Sequence, residues 1–184
     1  HNIVTVDGKS QDAKNRRSCL ELFAAAPRVE MIQASAEAYK QCSEYRRTCA
    51  LVRLPEGGTY VVDIFRVQGG ALHQYGLNCN GKFVGFDGAK VAPVDEKIKW
   101  LENLRAAGRL PASWNATWEY RDTKFRLTML GQVDRLLVAD APGWRSYKGD
   151  QLHAPPITQI LAERSGKSPL QSTYAAVLCP FRGA

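Results

Sequence analysis

The sequence lacks most of the features that identify a familiar class of protein at once. It has no apolar run of about 18 residues of the kind that spans a membrane. It also has no glycine-rich phosphate loop, no G-x-S-x-G elbow, no H-E-x-x-H pair and no grouped acidic residues typical of a glycosidase. These absences exclude a membrane span and leave no short motif that names an enzyme.

Cysteine and histidine are scarce. The 184 residues include five cysteines and three histidines, and no two cysteines form a C-x-x-C pair with the spacing of a zinc or redox site. A disulfide between Cys42 and Cys49 stays open as an alternative to buried free thiols. The few ligands available, far apart in sequence, predict no bound metal, and nothing in the sequence calls for a cofactor.

The composition is that of one globular domain spanning residues 1–184. Hydrophobic residues make up 45% and charged residues 23%, with a net charge of +7 and no internal repeat. A basic chain favours an anionic partner. Because the basic residues are not gathered into one helix or arm, and no nucleic-acid motif is present, we expect neither a nucleic acid nor a membrane as that partner.

Short runs rich in β-branched and aromatic residues dominate the chain and predict strands. These runs are Ile3–Asp7, Arg28–Ala34, Thr48–Leu54, Thr59–Val67, Lys82–Phe86, Ala116–Arg121, Lys124–Leu130, Arg135–Ala139 and Thr173–Leu178. Turn residues separate them, and Gly57-Gly58 between two apolar runs predicts a hairpin. We therefore expect an all-β protein, an antiparallel two-sheet β-sandwich of the jelly-roll or supersandwich kind.

One segment has a different pattern. Ile98, Leu101 and Leu104 recur at every third position before Gly108, which predicts one inserted amphipathic α-helix over Asp95–Ala107. A lid and a helix packed against a sheet edge are both compatible with this pattern.

The segment from Tyr39 to Arg53 concentrates arginines and tyrosines. On a strand, Arg46 and Arg47 point to opposite faces, so Arg47 is the one that shares a face with Tyr45. Guanidinium groups bind carboxylate and sulfate groups well, and rings can lie against sugars, so an acidic sugar polymer would suit this surface. A solvated strand with extended arginines is the alternative.

Asp63 and His73 lie on either side of Gly69-Gly70. We expect them to bracket a hairpin and to share a hydrogen bond that fixes its turn, with ligand roles as the alternative.

Several strings, taken in order, resemble the heparinase II/III-like family of polysaccharide lyases. They are HNIVTVDGKSQ at 1–11, PRVEMIQASAEAY at 27–39, EYRRTCALV at 44–52, YVVDIFRVQGGALHQY at 60–75, ATWEY at 116–120, FRLTMLG at 125–131, DAPG at 140–143 and LQSTYAAVLCPF at 170–181. The resemblance covers nearly the whole chain and implies that it is the C-terminal β-sandwich of such a lyase, with an α/α toroid upstream that this chain does not include.

The resemblance also implies a chemistry and a set of residues. These lyases cleave uronate-containing polysaccharides by β-elimination, with most acid and base groups in the toroid. His1 matches a histidine that faces the cleft from the start of the sandwich, and Tyr39 is similar in placement to a tyrosine that reaches it; these two are the catalytic candidates. The candidates for substrate binding are Asn2, Arg47, His73 and Tyr75.

Further expectations follow from the resemblance. Some relatives carry zinc in this sandwich, but Asn78 stands where they often have a histidine, so the prediction remains no metal. An acidic polysaccharide and the upstream toroid are the expected partners, and the periplasm or the outside of the cell is the expected location. The chain alone should be inactive. A non-catalytic glycan-binding or scaffold module of a heparinase-like protein is the alternative.

Overall fold

The computed structural model of the chain describes residues 2–12, 14, 17–143, 146–148, 151–153 and 155–182, and these residues form sixteen strands and no helix. The strands are β1 Val4–Val6, β2 Ser18–Ala26, β3 Val29–Ala36, β4 Cys42–Arg53, β5 Thr59–Gly69, β6 Leu72–Asn78, β7 Lys82–Asp87, β8 Ala92–Pro93, β9 Glu102–Ala107, β10 Ser113–Tyr120, β11 Thr123–Leu130, β12 Arg135–Pro142, β13 Ser146–Lys148, β14 Gln151–His153, β15 Pro156–Ser165 and β16 Gln171–Phe181. No helix in this described part is long or apolar enough to cross a membrane.

Two antiparallel sheets pack face to face, which confirms the predicted β-sandwich. The six-stranded sheet has the order β1-β6-β15-β12-β9-β8, and the eight-stranded sheet has the order β2-β3-β4-β5-β16-β11-β10-β7. A separate ribbon pairs β13 with β14. The last strand, β16, lies in the middle of the larger sheet, between β5 and β11.

The hydrophobic core lies between the two sheets, where every second side chain of a strand points inward. On β11, Leu127 and Met129 are fully buried, whereas Arg126 and Leu130, which flank this stretch, are exposed. Trp114 and Trp118 on β10 join the same core. This change between buried and exposed positions is typical of a strand that covers a core with one face.

The two predicted glycine turns differ in outcome. Gly57-Gly58 closes the β4–β5 hairpin, with Arg53 opposite Thr59, so that prediction is confirmed. Gly69-Gly70 instead carries the chain from the larger sheet, which contains β5, to the smaller sheet, which contains β6. The hairpin expected between Asp63 and His73 is therefore wrong, because their two strands lie in different sheets.

The predicted helix at Asp95–Ala107 is also wrong. Residues 94–101 form an irregular segment, and residues 102–107 form β9, which pairs with β12. Ile98, Leu101 and Leu104 still share one apolar environment, because they pack with Leu137 on the outer face of the smaller sheet. A turn and a strand thus produce the three-residue spacing that also occurs on a helix.

Candidate functional site

A buried carboxylate on β5 organises the residues near the start of the chain. Asp63 has no solvent exposure. Arg47 on β4 donates to both of its oxygens, with Nε–Oδ1 and Nη2–Oδ2 distances of 2.8 Å. Tyr75, from the opposite sheet, donates its hydroxyl to Oδ2 at 2.7 Å. We call Arg47, Asp63 and Tyr75 the Asp63 cluster; its pairing and hydrogen bonds are what make a buried carboxylate tolerable.

The Asp63 cluster shifts the pKa values of its arginine and tyrosine. Burial lowers the pKa of Arg47, but the hydrogen bonds and charge of Asp63 more than offset this and raise the pKa above its ordinary value. Burial raises the pKa of Tyr75, and the charge of Asp63 raises it further. Both groups therefore stay protonated at neutral pH, and Tyr75 serves as a hydrogen-bond donor instead of a base.

Arg47 also fixes the backbone of Asn2. Its Nη1 donates to the Asn2 carbonyl oxygen at 2.9 Å. The Asn2 side chain accepts from the Asn78 backbone N–H at 2.8 Å, and its Nδ2 donates to the Asn78 carbonyl at 3.3 Å. Three hydrogen bonds therefore hold Asn2, two positions before β1. His1, the leading catalytic candidate, lies outside the described residues.

Two tyrosines hold β1 itself. The Tyr45 hydroxyl donates to the Val4 carbonyl oxygen at 2.7 Å, and the Tyr39 hydroxyl reaches the same oxygen at 3.5 Å. The two rings meet edge to face, with centroids 5.5 Å apart. Burial, followed by the proximity of Tyr39, raises the pKa of Tyr45. As expected, Tyr45 and Arg47 share one face of β4 and Arg46 pairs with Glu21 on the other face. The shared face points inward, so Tyr45 lies in the core and not on a binding surface.

A surface groove of about 700 Å³ lies beside Tyr39. Its lining comes from β1 and the residues after it, from Tyr39, and from the segment 94–101. The lining residues that matter below are Lys9, Ser10, Gln11, Tyr39, Lys99 and Trp100. We call this the Trp100 groove; an adjoining depression of about 390 Å³ shares Lys9, Ser10 and Tyr39 with it and continues to Lys40.

His73 lies apart from the Asp63 cluster. It is fully buried, with Nδ1 2.8 Å from the Ser172 hydroxyl and Nε2 against the Gly69 carbonyl. A carbonyl only accepts, so Nε2 carries the proton and Nδ1 accepts from Ser172. The expected Asp63–His73 hydrogen bond is wrong, because Asp63 is bonded to Arg47 and Tyr75.

Burial decides which of the predicted substrate contacts can be kept. His73 is 0% and Tyr75 1% exposed, and both bind neighbours inside the core. Neither side chain is accessible to a ligand, so we assign both to supporting roles. Asn2 is exposed and the Arg47 side chain is 30% exposed, so these two remain candidates.

No metal site is evident in the part of the chain that the structure describes, where no three His, Cys, Asp or Glu side chains gather closely enough to hold an ion. All five cysteines are free thiols, so the alternative of a Cys42–Cys49 disulfide is not realised.

Sequence reasoning missed several residues of this region. It did not predict that Asn78 anchors Asn2, and it gave His73 instead of Tyr75 as the partner of Asp63. It also placed Trp100 within the predicted helix and gave it no role. A signal for Trp100 was present in the segment K-I-K-W, where a tryptophan follows two closely spaced lysines, Lys97 and Lys99.

Comparison with known proteins identifies the fold. No family model matches the chain, and no curated protein matches it. Solved structures do match: the heparan sulfate lyase HepC from Pedobacter heparinus, with a TM-score of 0.62 and 15% identity, and heparinase III, the BT4657 gene product, with 0.65 and 16%. A further heparinase III structure matches with a TM-score of 0.57 and 12% identity. Each match covers the whole of this chain but 24% of the other, so the chain has the fold of a domain about a quarter of the length of these lyases.

Proposed function

We propose that this chain is the β-sandwich portion of a polysaccharide lyase that cleaves an acidic, uronate-containing polysaccharide by β-elimination, and that it forms one wall of the substrate cleft. The observation that carries the proposal is the structural match of the entire chain to part of HepC and of heparinase III. The remainder of the active site then belongs to a helical toroid elsewhere in the same protein, in the periplasm or outside the cell.

β-Elimination sets demands that the residues near β1 are suited to meet. A base removes the proton at C5 of the uronate, the carboxylate charge is neutralised, and the oxygen leaving C4 is protonated. In this proposal His1 contributes an imidazole to the cleft, and the three hydrogen bonds on Asn2 fix the backbone that carries it. Tyr39, which lines the Trp100 groove beside β1, is the second candidate for acid–base chemistry.

A binding module without chemistry is the second candidate function. The observation that favours it is burial. Tyr39 is 4% exposed and Tyr75 1% exposed, so their hydroxyls are poorly placed to exchange protons with a substrate, whereas the Trp100 groove is open to solvent. In that case the chain holds an acidic glycan while a neighbouring domain does the chemistry, or none occurs.

Turnover separates the two functions. The ultraviolet absorbance of the unsaturated uronate product is followed on heparan sulfate, heparin, alginate and chondroitin, with the 184-residue chain and with the full-length protein that contains it. We expect activity only in the full-length protein, and a loss of about 100-fold or more in kcat for His1→Ala. His153→Ala, a histidine to which we assign no role, is the matched control. Strong activity of the chain alone, or unchanged turnover in His1→Ala, would contradict the catalytic assignment.

A further inference from the structure

We infer that the Trp100 groove binds an acidic oligosaccharide, with the Trp100 indole against the face of a sugar ring and with Lys9 and Lys99 near its carboxylate or sulfate groups. This inference rests on the proposed function and gives that function a specific anchoring site. It concerns binding only and requires no chemical step.

Trp100 is presented to solvent in a way that packing does not explain. Its side chain is 68% exposed, whereas Trp114 and Trp118 are 1% and 0% exposed in the core. Its φ of +71° lies in the left-handed region, where a residue with a side chain is disfavoured. An indole held outward at a conformational cost is an arrangement that suits a ligand-binding surface.

The segment around Trp100 is fixed at both ends. The Leu101 N–H donates to the Ile98 carbonyl at 3.0 Å, so Lys99 and Trp100 are the two central residues of a tight turn. Trp100 occupies the third position, where glycine usually supplies a positive φ. Ile98 and Leu101, which flank the turn, both pack on the outer apolar face of the smaller sheet. The ring is therefore displayed from an anchored turn.

The charged side chains that line the groove are positive. Among the residues the structure describes, the charged ones that line it are Lys9 and Lys99. An acidic residue, Asp12, lines the adjoining depression, where the Lys40 ammonium lies 3.9 Å from its carboxylate. The Lys99 ammonium lies 5.2 Å from the centroid of the Trp100 ring. Neither lysine forms a salt bridge with any residue the structure describes. Asp7, which interacts electrostatically with Lys9, already accepts hydrogen bonds from the amides of residues 71 and 72.

These features together favour an acidic sugar over other anions. The aromatic face offers apolar contact to the C–H groups of a pyranose ring, and lysine ammonium groups act as point charges for carboxylate or sulfate. Ser10 and Gln11 add polar groups that can bind sugar hydroxyls. A volume of about 700 Å³ also falls in the usual range for small-ligand sites.

Calorimetric titration of the 184-residue chain tests the site. The ligands are heparan sulfate oligosaccharides and neutral glucose oligosaccharides of the same length. We expect the acidic ligand to bind at least about tenfold more tightly, and Trp100→Ala to weaken it by about tenfold or more. Lys99→Met should weaken binding and make it less dependent on salt.

The chain offers a closely matched pair of controls. Tyr120 is 55% exposed, with the Arg121 guanidinium 5.2 Å from its ring centroid, so Tyr120→Ala removes a similar aromatic–cation pair elsewhere. Lys124→Met removes a surface lysine away from the groove. Both variants should bind as the original chain does. Circular dichroism of all four variants checks that the exposed substitutions leave the fold intact.

The remaining outcomes distinguish a failure of the binding site from a failure of the proposed lyase function. No binding of the acidic ligand, unchanged affinity in Trp100→Ala, or equal competition by single-stranded DNA of matched charge would overturn the site. Those results leave lyase turnover of the full-length protein untouched. Conversely, Trp100-dependent binding in a full-length protein without turnover would support the site and contradict the proposed lyase function.

Discussion

Replacing Arg47 by methionine tests how strongly the Asp63 cluster stabilises the fold. The substitution keeps most of the aliphatic length of the side chain but removes the cation that donates to both oxygens of Asp63. Asp63 would then remain fully buried with the Tyr75 hydroxyl at 2.7 Å and the Cys49 thiol at 3.6 Å. A buried carboxylate without a counter-charge is strongly destabilising.

The expected magnitude follows from burial. Removing one partner of a buried ion pair costs about 3–5 kcal/mol. The Arg47 side chain is 30% exposed while Asp63 is 0% exposed, so water can partly replace the lost guanidinium. We therefore expect the lower end, about 3 kcal/mol, together with loss of the hydrogen bond to the Asn2 carbonyl. For a urea dependence of about 2 kcal/mol/M, the unfolding midpoint falls by about 1.5 M.

Urea unfolding followed by circular dichroism measures this change. Arg53→Met is the matched control, because Arg53 pairs with Glu30 at the surface, with side chains 41% and 45% exposed, and should cost no more than about 1 kcal/mol. Adding Asp63→Leu to Arg47→Met should recover part of the loss, since the unpaired charge is then gone. If Arg47→Met unfolds at the same urea concentration as Arg53→Met, the reasoning is refuted.

Three further predictions concern other positions in the fold. Burial lowers the pKa of His73, so below about pH 6.5 the unfolded chain binds a proton that the folded chain does not. On acidification, the free energy of unfolding of the original chain should therefore fall more steeply than that of His73→Gln, by up to about 1.4 kcal/mol for each pH unit. Urea unfolding at several pH values measures both slopes, and equal slopes would contradict the prediction. Gly69→Ala should lower the free energy of unfolding by more than about 2 kcal/mol, because a Cβ there would lie 2.1 Å from a backbone oxygen, at a φ of +130°. The control is Gly108→Ala, where a Cβ would have nothing within 4 Å, so the free energy of unfolding should change by less than about 0.5 kcal/mol. Equal melting temperatures for the two variants would exclude the clash. Burial raises the pKa of Cys42 to about 11, so Ellman's reagent at neutral pH should modify it far more slowly than the exposed Cys19, and similar rates would show that Cys42 is accessible.

Short runs of β-branched and aromatic residues predicted much of the fold. All nine predicted strands overlap observed ones, because such residues pack well on a pleated surface with at least one buried face. β2 was missed since its residues, SCLELFAAA, are exposed throughout and include strong helix formers. Only its pairing with β3 makes this segment a strand. Such tertiary pairing leaves no local trace in the sequence.

The site was predicted in part for the same reason. Parity along β4 correctly put Arg46 and Arg47 on opposite faces, with Arg47 on the face of Tyr45, but it did not predict that this face points inward. The partner of Asp63 was not predictable from spacing, because the chain changes sheets at Gly69-Gly70 and Tyr75, instead of His73, comes to face the carboxylate. Contacts between sheets depend on how the layers stack, which periodicity along one strand does not specify.

The central position of β16 has a consequence for how the protein is made. The larger sheet consists of one group of strands ending at β5 and another ending at β11, and residues 171–181 join the two. While the ribosome has not yet released these residues, both groups expose open backbone edges of the kind that pair with other chains. We therefore expect aggregation to compete with folding until β16 emerges and pairs with both groups.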